Sequence, residues 1–252
     1  MKKNIAYRTD QLARYFRQNR VTWRQFYESE RVIIEQLNLA HQSTVLDIGC
    51  GCGGLGLALQ ERFGLENYTG VEINTSSAEA GQGMNPKAHI LCGDILNLSP
   101  SVLHGRLFDI VFSLSCIDWN VCFSDMLAVA WHHVLPGGYF VATFRLSLDE
   151  GCNDFERSYQ YINYDEILEG ERAPYVVLNA KTLVQQLINF NPSEINAYGY
   201  WGKPSITAVT PYKKLCFAAF SIRKKKPDDV GQVRYNLDLP AEITATMELP
   251  PR

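Results

Sequence analysis

Apolar and polar positions follow two rhythms along this 252-residue chain. Short apolar runs at 44–48, 68–73, 88–92, 108–114 and 139–144 end in glycine, acid or serine and predict buried strands. Between them, 55–63, 74–84 and 126–134 carry wider spacing and predict helices, with Thr75 or Ser76 capping the second. Strands that alternate with helices in this way predict a parallel sheet covered on both faces. Two later runs, 194–200 and 214–222, follow a helix at 179–190 and predict closing antiparallel strands.

The remaining stretches break that rhythm. In residues 1–43, Leu12, Tyr15 and Phe16, then Trp23, Phe26 and Tyr27, then Val32, Ile33, Leu37 and Leu39 recur at helical spacing. They predict N-terminal helices that form either a lid or plain packing against the sheet edge. Residues 146–178 are rich in Asp, Glu, Tyr and Asn without periodicity, and read as an inserted cover or a mobile surface loop. Residues 224–252 hold several prolines and few apolar clusters and read as a tail. The domain therefore spans 44–223, with 146–178 inserted.

Chemistry concentrates where the first strand ends, in T-V-L-D-I-G-C-G-C-G-G-L-G over 44–56. Gly51-Cys52-Gly53-Gly54-Leu55-Gly56 fits the dinucleotide fingerprint that seats a pyrophosphate on a helix N-terminus. Asp47, just before the turn, would repel a pyrophosphate and attract a positively charged, phosphate-free cofactor. Asp47, Gly49, Gly51 and Gly53 resemble the first motif of class I S-adenosylmethionine-dependent methyltransferases, D-x-G-x-G-x-G after two apolar residues. Glu72 ends the second strand and Asp94 follows the third, so three acids sit at successive strand tips and point to one crevice. The Leu135-Pro136-Gly137-Gly138 turn before an aromatic strand also resembles this family.

The resemblance covers about residues 44–145. It implies a Rossmann-like three-layer α/β sandwich with a seven-stranded, mostly parallel sheet in the order 3-2-1-4-5-7-6. It implies S-adenosylmethionine as cofactor, held by Asp47, Gly49, Cys50, Gly51, Gly53, Glu72, Ile73, Gly93, Asp94, Ile95 and Ser113. Glu72 would accept bonds from the ribose hydroxyls, Asp94 from the adenine amino group, and Ile73 and Ile95 would lie against the ring. The segment 115–120 falls where the family places residues facing both methyl group and acceptor. There Asp118 is a candidate base, or an N-cap of the next helix, and Arg145 a candidate holder of an anionic acceptor, or a surface ion pair. An N-P-P-Y type motif is absent, which disfavours amino-methylation of DNA.

Charge and composition narrow the partners. The net charge of −3 gives no polyanion footprint, so nucleic acid is an unlikely substrate. Seven cysteines, mostly in apolar runs, read as reduced thiols, and Cys50-Gly51-Cys52 lacks a second ligand pair for a metal. No apolar run reaches a membrane span and no signal-peptide pattern opens the chain, which points to the cytoplasm. The expected activity is methyl transfer to a small molecule, with a sugar or sugar nucleotide as the narrower expectation. A protein or RNA methyltransferase, a nicotinamide oxidoreductase and a non-catalytic module that binds S-adenosylmethionine are the alternatives.

Overall fold

A computed structural model describes residues 6–7, 10–99, 102–103, 105–163 and 166–249. The chain begins with α1 (Gln11–Phe16), a short 3-10 turn at Trp23–Gln25, and α2 (Glu28–Glu35). The alternating section follows: β1 (Thr44–Ile48), α3 (Gly54–Phe63), β2 (Asn67–Glu72), α4 (Thr75–Met84), β3 (His89–Cys92), β4 (Phe108–Ser113), α5 (Phe123–His132) and β5 (Val134–Ser147). Three short strands come next, β6 (Tyr159–Tyr161), β7 (Arg172–Pro174) and β8 (Leu178–Asn179), then α6 (Ala180–Ile188). The chain closes with β9 (Pro192–Gly202), β10 (Ala208–Val209), β11 (Leu215–Lys224), β12 (Arg234–Asp238) and α7 (Ala241–Thr246).

The main sheet runs β12-β9-β11-β5-β4-β1-β2-β3, with β8 also paired to β5. Read as seven core strands, this is the expected order 3-2-1-4-5-7-6, with β11 antiparallel to both β5 and β9. Strand alternation sorts β5 between two cores: Phe140, Ala142, Phe144 and Leu146 pack on one face, Val141 on the other. The first face is covered by α5, α6 and α7 through Leu127, Leu187 and Ile243, and the second by α2 and α3 through Ile33, Ile34 and Leu59. Both faces are therefore dry, as near-continuous apolar strands require.

Four local expectations change. The Trp23 set forms a 3-10 turn rather than a helix, although Trp23 and Phe26 still bury their rings. Asn74, not Thr75 or Ser76, is the cap position of α4. The Leu135–Gly138 segment does not precede the fifth strand but lies within it. Phe108 pairs with Val134 and Ile110 with Tyr139, so the extra residues are taken up as an irregularity against β4. Residues 234–247 are no tail. Pairing of β12 alongside β9 lets Leu239, Ile243 and Met247 bury their side chains in the core, an apolar set too sparse to stand out in sequence. Within the insertion, β6 and β7 pair, and β10 joins them in a separate three-stranded sheet.

Candidate functional site

The parallel register brings the carboxyl ends of β1, β2 and β3 to one edge: Asp47 pairs with Gly70, and Glu72 with Cys92. At that edge lies a cavity of about 710 Å³, within the roughly 300–1,000 Å³ of small-molecule sites. Asp47, Gly49, Cys50, Gly51, Glu72, Ile73, Gly93, Asp94, Ile95, Asp118 and Arg145 all line it. Two of the expected cofactor residues do not. Gly53 is the cap residue that turns the chain into α3, and Ser113 is fully buried at the end of β4, where Leu114, Ser115 and Cys116 line the wall instead.

The acids differ in their surroundings. Asp47 is buried and accepts a 2.5 Å hydrogen bond from the Tyr68 hydroxyl. Burial pushes its carboxyl up to about 7, opposed by the Tyr68 bond and the Arg20 charge and reinforced by Glu72. Glu72 is tied to the backbone: one oxygen accepts the Gly51 N–H at 2.8 Å, the other the Asn74 N–H and side-chain amide, each at 2.8 Å. Asp94 accepts from the Leu96 N–H and the Asn97 amide, which closes the turn after β3. An ionised carboxylate offers about four lone-pair sites, so these bonds leave room for a ligand donor.

The glycine turn is shaped by the protein's own packing. A Cβ on Gly54 would stand 2.0 Å from the Arg20 carbonyl oxygen, because the N-terminal segment crosses the start of α3 there. Above Gly51 lies the Phe16 ring, and the Cys52 thiol donates to the Ala13 carbonyl at 3.5 Å. Arg20 itself forks onto Glu30 at 2.8 and 3.0 Å and lies over the Phe26 ring. Tyr7 joins the same wall; its backbone N–H donates to Asn74, and burial pushes its phenol up.

The far wall is built from distant segments. Asp118 sits on the 3-10 turn Ile117–Trp119 after β4 and is not a helix cap; Cys122 holds that position for α5. Arg145 Nη1 lies 3.3 Å from Asp118 Oδ2 and donates to the Asp118 carbonyl at 2.7 Å. Its guanidinium is stacked between Trp119 and Tyr175, 4.2 and 3.9 Å from the ring centroids. Arg145 is thus a buried partner of Asp118 rather than a free anion holder. The insertion docks on the same turn, since the Val176 N–H donates to the Asp118 carbonyl.

Burial raises the Asp118 carboxyl while Arg145 draws it down, and Asp118 Oδ1 has no hydrogen-bond partner. Asn120 Nδ2 is a second unpartnered atom, while Asn120 Oδ1 accepts the Cys122 N–H. Sequence reading did not single out Arg20, Tyr68, Asn120, Tyr175 or Tyr200 as site residues; Asn120 and Tyr175 entered only as members of the 115–120 segment and the 146–178 cover. Among the described residues, no group of three or more His, Cys, Asp or Glu side chains could hold a metal. No helix there is long and apolar enough to cross a membrane.

Residues 45–138 match the family profile of a methyltransferase domain. Over 95 residues the chain is 33% identical to trans-aconitate 2-methyltransferase of Deinococcus radiodurans, a match covering 37% of this chain and 34% of that protein. Over 204 residues it is 26% identical to malonyl-[acyl-carrier protein] O-methyltransferase of a Marinomonas species, covering 75% and 74%. The fold is shared with a Haemonchus contortus phosphoethanolamine N-methyltransferase in complex with S-adenosylhomocysteine, with a TM-score of 0.58 at 13% identity, covering 85% of this chain and 56% of that one. Profile and strand order agree: residues 45–138 match a methyltransferase domain and carry the Rossmann-like α/β sheet of that fold.

Proposed function

We propose that this chain transfers a methyl group from S-adenosylmethionine to a small molecule held between the N-terminal segment and the 146–178 insertion. The observation that carries this reading is one continuous cavity, with Asp47, Glu72 and Asp94 at one end and Asp118, Arg145 and Tyr175 at the other. Asp47 faces the cofactor's ammonium, Glu72 the ribose hydroxyls and Asp94 the adenine amino group, with Ile73 and Ile95 against the ring. S-adenosylmethionine supplies an electrophilic methyl, so the protein's tasks are alignment and exclusion of water. The N-terminal segment and the insertion act as lid and cover in this reading.

Depth supports a small acceptor over a protein or RNA strand, since the Asp118, Arg145 and Tyr175 side chains are almost wholly buried. A sugar would fit such a wall. A sugar nucleotide would bring a diphosphate to a cavity where Arg20 and Arg145 are already paired, which disfavours that narrower class. The nicotinamide reading is disfavoured in the same way, since Glu72 occupies the Gly51 N–H that a pyrophosphate would need. Calorimetry with S-adenosylhomocysteine tests the proposal. Binding should be lost in Asp47→Ala and Glu72→Ala, and NAD should give no heat. Binding that survives both substitutions, or a preference for NAD, would overturn it.

A further inference from the structure

The charges around the cavity do not balance, and their pairing is asymmetric. Arg20 is forked onto Glu30, and Arg145 is paired with Asp118 and roofed by two rings. Both interior guanidiniums are therefore taken. Against them stand the lining acids Asp47, Glu72, Asp94 and Asp118, with Glu30 behind Arg20; Asp47 takes up its charge when a cofactor ammonium arrives. Lys203, the remaining cation of the lining, is exposed at the rim, where solvent and salt screen it. S-adenosylmethionine carries two positive groups and one carboxylate, so its arrival leaves the interior still negative. Asp118 Oδ1, shielded from water and without a donor, marks where that excess is least compensated.

We infer that the methyl acceptor is an amine that enters as its ammonium ion and donates to Asp118. This rests on the methyl-transfer reading above and names the acceptor class for the same cavity. An ammonium supplies both the donor that Asp118 Oδ1 lacks and the charge the interior lacks, and the Tyr200 ring lines the same cavity. A carboxylate or phosphate acceptor supplies neither. Asn120 Nδ2 is a neutral donor that can bond an oxygen of the acceptor but cannot neutralise it.

The transfer balances with the groups present. One ammonium proton passes to the Asp118 carboxylate, which frees the nitrogen lone pair. The nitrogen then bonds the methyl carbon as the carbon–sulfur bond breaks. That electron pair stays on sulfur as a neutral thioether, and the product leaves as a methylated ammonium.

The test uses the full chain saturated with S-adenosylhomocysteine and three probes on one framework: phenethylamine, phenethyl alcohol and hydrocinnamate. Titration should rank them in that order, with the amine at least about tenfold tighter than the carboxylate. With labelled S-adenosylmethionine, mass spectrometry should place the methyl on the phenethylamine nitrogen. Asp118→Asn should remove the amine's advantage and shift preference toward hydrocinnamate, since Arg145 is left unpaired. The double variant Asp118→Asn with Arg145→Gln removes both charges and keeps the test alive should the single variant fold poorly; it should bind all three probes alike.

Hydrocinnamate bound as tightly as phenethylamine, no measurable phenethylamine binding, or an advantage unchanged in both variants would each overturn the inference. A protein that binds S-adenosylhomocysteine yet shows such a result fails here alone. A protein that does not bind it fails the methyl-transfer reading.

Discussion

Two arginine–carboxylate pairs flank the same cavity, and they are built to different ends. Arg20 and Glu30 form a closed pair: both guanidinium arms meet both carboxylate oxygens, and the Tyr27 N–H adds a further donor at 2.9 Å. Arg145 and Asp118 form an open pair, with one 3.3 Å contact and an oxygen left without a partner. Each arginine lies over two aromatic rings, so the packing is alike. The difference is in satisfaction. A pair in which both carboxylate oxygens are bonded holds structure; a pair with an oxygen that has no partner holds a place for a donor from outside.

The sharpest way to break that contrast is to open the closed pair. Glu30 is wholly buried, so Arg20→Ala strands an uncompensated carboxylate and should cost about 3–5 kcal/mol. Urea unfolding measures it. The loss should also loosen the segment that crosses α3, since Arg20 stands there by its own backbone. A cost near zero would mean that Glu30 holds the cover without its arginine, and the two pairs would no longer differ in kind.

The next effect concerns Asp47, whose folded carboxyl sits near 7 against an ordinary 3.8 because of burial. Two signs follow, and they oppose. The folded, ligand-free protein keeps a proton that the unfolded chain has released, so the stability Asp47 contributes is full below about 4 and lost as pH rises through about 7. A cofactor ammonium prefers the ionised form, so affinity for S-adenosylhomocysteine should rise with pH up to about 7, by up to about tenfold per unit where proton release limits binding. Calorimetry across that window checks the second sign, and Asp47→Asn should flatten both profiles.

The acid-lined edge of the cavity was legible in sequence because its parts are local. Asp47, the glycine turn and Glu72 lie on consecutive strands, and parallel pairing alone places their tips together. The opposite end was legible only at Asp118 and Arg145, because it brings together residues 118, 145, 175 and 200 from segments that no periodicity links. Arg145 illustrates the limit. Its edge of the sheet was correctly placed, while its partner was set by a turn that folds back and by an insertion docked on that turn. The closing strand β12 and helix α7 were missed for a related reason: three buried apolar side chains are enough once β9 offers an edge.

Glycines separate local from long-range constraint within one loop. At Gly54 an added Cβ would collide with backbone at 2.0 Å, so Gly54→Ala must push the N-terminal segment away and should cost about 1–3 kcal/mol. At Gly51 the neighbouring Phe16 ring is at ordinary contact distance, 3.5 Å, and the strain is only that of a φ of +56°. Gly51→Ala should therefore cost about 1 kcal/mol. Thermal unfolding of the two variants ranks them. The reverse ranking would mean the cover yields easily over α3.

The smallest effect is the most specific. Tyr68 is buried beneath the glycine turn, and its hydroxyl donates to Asp47. Tyr68→Phe keeps the ring packed against Gly56 and removes one hydrogen bond, a change of about 0.5–1.5 kcal/mol in unfolding free energy. Its signature lies in the pH profile. That bond favours the ionised carboxylate, so without it the Asp47 carboxyl moves further up, and the pH at which S-adenosylhomocysteine affinity levels off should rise above about 7. A purely structural role for Tyr68 would lower stability and leave that midpoint in place. A midpoint that moves upward identifies the phenol as the group that sets when Asp47 carries charge, which places the control of cofactor binding one layer behind the cavity wall.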